Sequence, residues 1–226
     1  AKAFTEREID LIPNGIDVDH FKPVEKNKRL AEALGLDTGK MKEDRVVGFV
    51  GELREKKGIS ALLRAYAQVN KIQSAALLVV GDVRAGEDKK LFDDLKSSIP
   101  NSKIIITGYV SNHDLPSYYS LMDVLVHPSL RDGMPNALLE AMACEKAVIA
   151  TPVGGALDVL DDCENGRIVP INDINSLTTI TQEVLSDKIL QKKLGRSARR
   201  TIQDKFTLQN ELDGNLTVYR KLGLKK

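Results

Sequence analysis

Short apolar, largely β-branched runs recur along the chain, and each of the first four leads into a stretch with helical spacing. RVVGFVGE (45–52) passes through LREKKG into ISALLRAYAQVNKI, where Ile59, Leu62, Leu63, Tyr66 and Val69 fall on one face of a helix. AALLVVGD (75–82) precedes the helical EDKKLFDDLKSSI, KIIITG (103–108) a short helix in NHDLPSYYSLM, and DVLVHPS (123–129) the helical PNALLEAMAC. AVIATPVGG (147–155) reads as a strand ending in a glycine turn, and GRIVP as a last short strand. Strands separated by helices need crossovers, and crossovers give a mainly parallel sheet. The runs are apolar throughout rather than alternating, as expected where helices cover both faces.

The pattern therefore predicts one α/β, doubly wound, Rossmann-like domain with a mainly parallel sheet. An incoming segment occupies 1–24, the sheet core 45–170, and C-terminal helices 171–226. Those last residues read as three amphipathic helices, and the charged stretch 25–44 as a helix plus an exposed loop. Ligands of such sheets lie at the C-terminal strand ends. Here those ends carry Gly51-Glu52, Gly81-Asp82, Gly108-Tyr109, His127-Pro128-Ser129 and Gly154-Gly155.

Composition narrows the partners. The chain has 33 Lys plus Arg against 32 Asp plus Glu, a formal net charge of +1, which gives no reason to expect nucleic acid. Trp is absent, so a base-stacking platform is not expected either. No apolar run approaches the roughly 20 residues of a membrane span. Cys144 and Cys163 fit no metal-ligand spacing and read as reduced thiols of a cytoplasmic protein.

The chemistry gathers in PSLRDGMPNALLEAMA (128–143). Pro135 suits the first helical position. The amides of Met134, Asn136 and Ala137 would then point out of a positively polarised helix start, which favours phosphate. Glu140 lies one turn into that helix and Asp132 in the loop before it, so carboxylates flank the helix start. Carboxylates accept paired hydrogen bonds from sugar hydroxyls. Phosphate between two polyhydroxy groups describes a nucleotide sugar. Taken alone, the stretch reads more simply as a helix cap beside a solvated acid. Lys57, before a helix-opening glycine, can neutralise a diphosphate, although Arg54, Lys56 and Lys57 also fit an ordinary solvated loop. His127 and His113, beside strand ends, read as structural rather than as bases.

These residues resemble a known family. LIPNGIDVDHFKP, VGELREKKGISALLRAY and HPSLRDGMPNALLEAMACEKAVIATPVGGALDVL are similar to segments of the C-terminal, donor-binding domain of family-4 (group 1) retaining glycosyltransferases of the GT-B fold. The resemblance implies transfer of a hexose from a UDP- or GDP-sugar, with no cofactor and no metal. It implies that Asp132 touches the transferred sugar and Glu140 the nucleotide ribose. The backbone of Gly133, Met134, Pro135 and Asn136 would line sugar and phosphates. Lys57 would hold the diphosphate, and Tyr109 and Val110 would flank the base.

The departures are Glu52 where the family usually has arginine, with Arg54 as a nearby substitute, and aspartates at 132 and 158 in place of glutamates. The resemblance further implies an N-terminal acceptor domain that this stretch lacks, through which any peripheral membrane contact would be made. The isolated chain is then expected to bind donor without transferring sugar. Two alternatives stand beside this reading: a Rossmann-like module with weak or no nucleotide binding, and a domain related to nucleotide-sugar epimerases.

Overall fold

In the computed structural model, residues 9–37 and 44–223 are described. Parts of the incoming segment (1–8) and of the expected loop (38–43) lie outside them.

Helix α1 (Lys28–Ala33) is followed by β1 (Arg45–Val50), α2 (Ile59–Ile72), β2 (Ala75–Val80) and α3 (Glu87–Ser97). Next come β3 (Lys103–Ile106), α4 (Leu115–Leu121), β4 (Val124–His127), α5 (Asn136–Ala143), β5 (Ala147–Ala150), α6 (Ala156–Val159) and β6 (Arg167–Ile168). Helices α7 (Ile174–Ser186), α8 (Lys188–Lys205) and α9 (Leu208–Lys221) close the chain. The strands form one sheet in the order β3-β2-β1-β4-β5-β6, and every pairing is parallel.

Alternation along each strand explains the continuously apolar runs. Val46, Ala76, Leu78, Leu125 and Val148 face a core built with α1, α4, α5 and α8. Their neighbours Val47, Leu77, Val79, Val124 and Ile149 face a second core with α2, α3 and α7. Over the central strands neither sheet face meets water, so neither can carry the polar half of an alternating pattern.

Connections run outward from β1 in one direction and from β4 in the other. The crevice between the C-terminal ends of β1 and β4 is therefore the topological switch point, where ligands of doubly wound sheets bind.

The incoming segment is tied to the end of the chain. The amide of Ile16 donates to the carbonyl of Phe206 (2.8 Å), that of Leu208 to the carbonyl of Ile16 (3.2 Å), and that of Gly15 to Glu211 Oε2 (2.8 Å). Arg199 donates to the carbonyls of Phe21 and Ala143, fixing the same segment to the end of α5. Helix α9 forms as expected from its periodicity, with a capping box between Thr207 and Asn210, yet it buries none of its residues. Leu208, Leu212 and Tyr219 along it are exposed.

Candidate active site at the β1/β4 switch point

Three loops meet above the crevice, and glycines let their backbones touch. After β1 the chain makes a 3₁₀ turn at Glu55–Lys57, an element not foreseen from the sequence, and enters α2 through Gly58 at φ +83°. A Cβ on Gly58 would lie 2.0 Å from the carbonyl oxygen of Pro128. The amide of Leu130 donates to the Lys56 carbonyl (3.0 Å), and Thr151 Oγ1 donates to that of Ser129 (2.5 Å). On the far side, a Cβ on Gly154 would meet the carbonyl of Asp132 at 2.4 Å, and the Gly155 amide donates to that of Gly133 (2.8 Å). The loops after β1, β4 and β5 are thus one interlocked unit.

Asp132 sits at its centre. Its Oδ2 lies 2.5 Å from Lys57 Nζ and 2.9 Å from His127 Nε2, and Ser129 Oγ donates to it at 3.3 Å. Its Oδ1 accepts from the Gly133 amide at 3.0 Å. The side chains of Lys57 and Asp132 are only 21% and 14% exposed. Hydrogen bonding to His127, then to Lys57, holds the Asp132 carboxyl well below the usual carboxylate range, against the opposing effect of burial. A depressed carboxyl contributes stability that is complete above its unfolded value, near 4, and is lost as pH falls towards its lower native value. Asp132→Asn therefore flattens the acid limb of stability between about pH 5 and 2, read as unfolding free energy from urea melts.

Helix α5 starts beside this cluster. Pro135 is its N-cap rather than its first helical residue, with φ −81° and ψ 96°. Its carbonyl already accepts from the Leu138 amide at 2.9 Å. The proline stops one position short because an extended residue here lets the chain turn out of the Gly133 loop. Asn136 and Ala137 are then the first helical residues, and their amides precede any intrahelical acceptor. Asn136 Oδ1 accepts from Asn14 Nδ2 (2.9 Å).

One turn on, Glu140 is 8% exposed and accepts from Tyr119 Oη at 2.7 Å. Burial pushes its carboxyl up, and the Tyr119 hydroxyl partly opposes that. The phenol of Tyr119 is itself pushed well above its usual value by burial and by the neighbouring carboxylate.

The remaining expected site residues lie on the β1–β2–β3 side. Tyr109 and Val110 line a cleft of about 320 Å³ with Gly51, Glu52, Gly81 and Asp82. Tyr109 is 87% exposed, so one side of its ring is open. Glu52 does not stand as an uncompensated charge: its Oε2 is 3.2 Å from Arg54 Nη1. Arg54 keeps a buried Nε with no hydrogen-bond partner. Met134 lines a second cleft, of about 430 Å³, with Gly155 and Asp158.

The structure thus joins Lys57 to Asp132 and places Glu140 one turn beyond. It also adds His127, Ser129 and Tyr119, none of which was assigned a partner from the sequence. The signals were present as a polar His-Pro-Ser at a strand end and a tyrosine in the helix before it. His113 takes no part; its side chain is exposed and contacts Asp114.

The model of the Glycosyl transferases group 1 family matches residues 36–201. The chain belongs to the group 1 glycosyltransferases. Within this family it is 30% identical to the capsular polysaccharide biosynthesis glycosyltransferase CapM of Staphylococcus aureus, over 87% of this chain and 50% of that protein. It is 28% identical to a UDP-Gal:alpha-D-GlcNAc-diphosphoundecaprenol alpha-1,3-galactosyltransferase of Escherichia coli, over 91% of this chain and 52% of that protein. The solved C-terminal domain of the group 1 glycosyltransferase LpcC from Francisella tularensis superposes with a TM-score of 0.76 at 25% identity. It covers 86% of this chain and all of that domain. The chain spans about half the length of the curated relatives it matches, and its fold is that of a C-terminal-like half of a GT-B glycosyltransferase. Among the described residues, no helix is long and apolar enough to cross a membrane.

Proposed function

We propose that this chain is the donor-binding half of a retaining glycosyltransferase that takes a hexose from a UDP- or GDP-sugar. The observation that carries the reading is the Lys57–Asp132 pair at the switch point, beside a helix start that bears Glu140 one turn in. Lys57 and the Asn136 and Ala137 amides supply positive charge for a diphosphate with no metal or other cofactor. Asp132 and Glu140 supply acceptors for sugar and ribose hydroxyls. The cleft beside Tyr109 and Val110 takes the base, and the backbone from Gly133 to Asn136 lies along the sugar and phosphates. Two relatives named as glycosyltransferases, one acting on a UDP-sugar, support the class of donor.

Transfer needs an acceptor held in attack geometry, and that belongs to a second domain of the kind the relatives' remaining length accommodates. Its docking surface is the exposed apolar row of α9 together with Leu11. Any contact with a membrane is peripheral and made through that second domain. The isolated chain binds donor without transferring it. The exposed Cys163 thiol suits a reducing, cytoplasmic setting.

Calorimetric titration with UDP and GDP tests the reading; saturable binding of at least one is expected, and no heat with either overturns it. The Glu52–Arg54 pair favours a second reading, a module that binds nucleotide weakly, because it ties up Arg54, the nearby substitute for the arginine usual at the strand end. Glu52→Arg discriminates. Reversing one charge near the diphosphate tightens UDP binding by about tenfold at low salt, and the gain shrinks as salt rises. Unchanged affinity places the phosphates away from the Gly51–Gly58 loop.

A further inference from the structure

The carboxylate proposed to read the sugar has one oxygen, Oδ2, already taken in the free protein. Lys57, His127 and Ser129 all converge on Asp132 Oδ2, and the Gly133 amide takes Oδ1. The cation proposed to hold the diphosphate is engaged with that same oxygen. The two side chains thus neutralise each other, and neither is ready for its ligand.

Resting on the donor-site reading above, we infer that the Lys57–Asp132 ion pair is a latch: the diphosphate must draw Lys57 off Asp132, and that exchange frees Asp132 Oδ2 to accept a sugar hydroxyl. The surroundings fit such an exchange. Asp132 keeps His127, Ser129 and the Gly133 amide when Lys57 leaves, so the carboxylate stays in place. His127 is 3% exposed and sits in β4, and Ser129 is fully buried with its carbonyl held by Thr151, so these partners are rigid. Lys57 carries its ammonium on a flexible four-carbon stem and can swing while its backbone remains in the 3₁₀ turn.

Two consequences follow from the competition. Nucleoside diphosphate binding is discounted by the free energy of opening the pair. Recognition of the sugar through Oδ2 is conditional on the diphosphate, so a free hexose meets an Asp132 whose Oδ2 is still held by Lys57.

The test is a double-mutant cycle on UDP affinity at fixed low salt, with wild type, Asp132→Asn, Lys57→Met and the double variant, each first checked for a cooperative thermal transition. Asp132→Asn keeps the shape and leaves Lys57 unpaired. It tightens UDP binding about five- to tenfold. Lys57→Met then costs only several-fold in the wild-type background, where the lysine must first be released. In the Asp132→Asn background it costs about five- to tenfold more than that, so that Asp132→Asn has no effect once Lys57 is gone. Asp132→Ala serves as a second variant and shifts affinity in the same direction.

If removing the Asp132 charge tightens UDP equally with and without Lys57, the effect is plain carboxylate–phosphate repulsion. If it does not tighten binding at all, the pair imposes no discount. Either result overturns the latch and leaves the donor site standing. Failure of all four proteins to bind UDP, GDP or inorganic pyrophosphate overturns the donor reading itself, and the latch with it.

Discussion

Gly58→Ala lowers the unfolding free energy by more than about 3 kcal/mol and weakens nucleotide binding with it. Two separate effects add. The residue sits at φ +83°, where an L side chain is strained by roughly 1–2 kcal/mol. The larger effect is contact: a Cβ would stand 2.0 Å from the Pro128 carbonyl oxygen and 2.8 Å from its carbon. That carbonyl cannot retreat cheaply, because the next two residues are bonded to Thr151 and to the Lys56 carbonyl. Relief must come from parting the loops after β1 and β4, and these loops carry Lys57 and Asp132. Gly35→Ala is the control. Gly35 has a similar φ of +70° but nothing within 4 Å of where a Cβ would stand, so it reports backbone strain alone. Urea melts of both variants give the difference that belongs to the loop contact. A Gly58→Ala penalty no larger than that of Gly35→Ala would mean that the loops are not interlocked.

That contact shows where sequence reading stops. The strands were legible because a parallel strand buried on both faces must be apolar throughout, and Val46 and Val47 satisfy opposite cores. Helix α2 was legible because its buried face repeats at helical spacing, whereas α5 is buried at six successive residues and was legible from its proline start and its Ala-, Leu- and Met-rich run. Helix α6 was not, because four residues hold barely one turn and cannot establish a period. Helix α9 was legible as an element but not in its surroundings: its apolar stripe predicts a buried face, and no residue of it is buried among the described residues.

At the site, residue types and resemblance singled out Lys57, Asp132 and Glu140. They did not reveal that Lys57 and Asp132 would pair. The two are 75 positions apart, and only the sheet order, which puts β1 beside β4, brings them together. Nor did spacing announce that His127, the last residue of β4, and Ser129 just beyond it would meet Asp132, since the loop that turns Asp132 back carries no period. Nor does the sequence say that Arg54, named as a substitute for the missing arginine, pairs with Glu52 itself. Local charge pairing of that kind depends on rotamers rather than on order in the chain.

Tyr119→Phe lowers stability by about 1.5–3 kcal/mol at pH 7, the range for a hydrogen bond to a charged group, and by less at pH 4. The hydroxyl is buried and donates to Glu140 Oε2 at 2.7 Å, with the Ala137 carbonyl a longer alternative at 3.3 Å. Burial alone raises the Glu140 carboxyl, and Tyr119 holds part of that rise back. A carboxyl raised in the folded state favours folding at low pH, and this contribution is lost as pH climbs from its unfolded value, near 4.3, through its native one. Without the hydroxyl the native value rises further, so more stability is lost by pH 7. At pH 4 Glu140 is largely protonated in both proteins, and the gap between them narrows. The phenol stays neutral throughout this window, because its own ionisation is pushed above the usual value. Urea melts of the two proteins at pH 7 and pH 4 measure both gaps. Equal gaps would mean that the hydroxyl serves the Ala137 carbonyl instead, leaving the Glu140 carboxylate to be balanced by other groups.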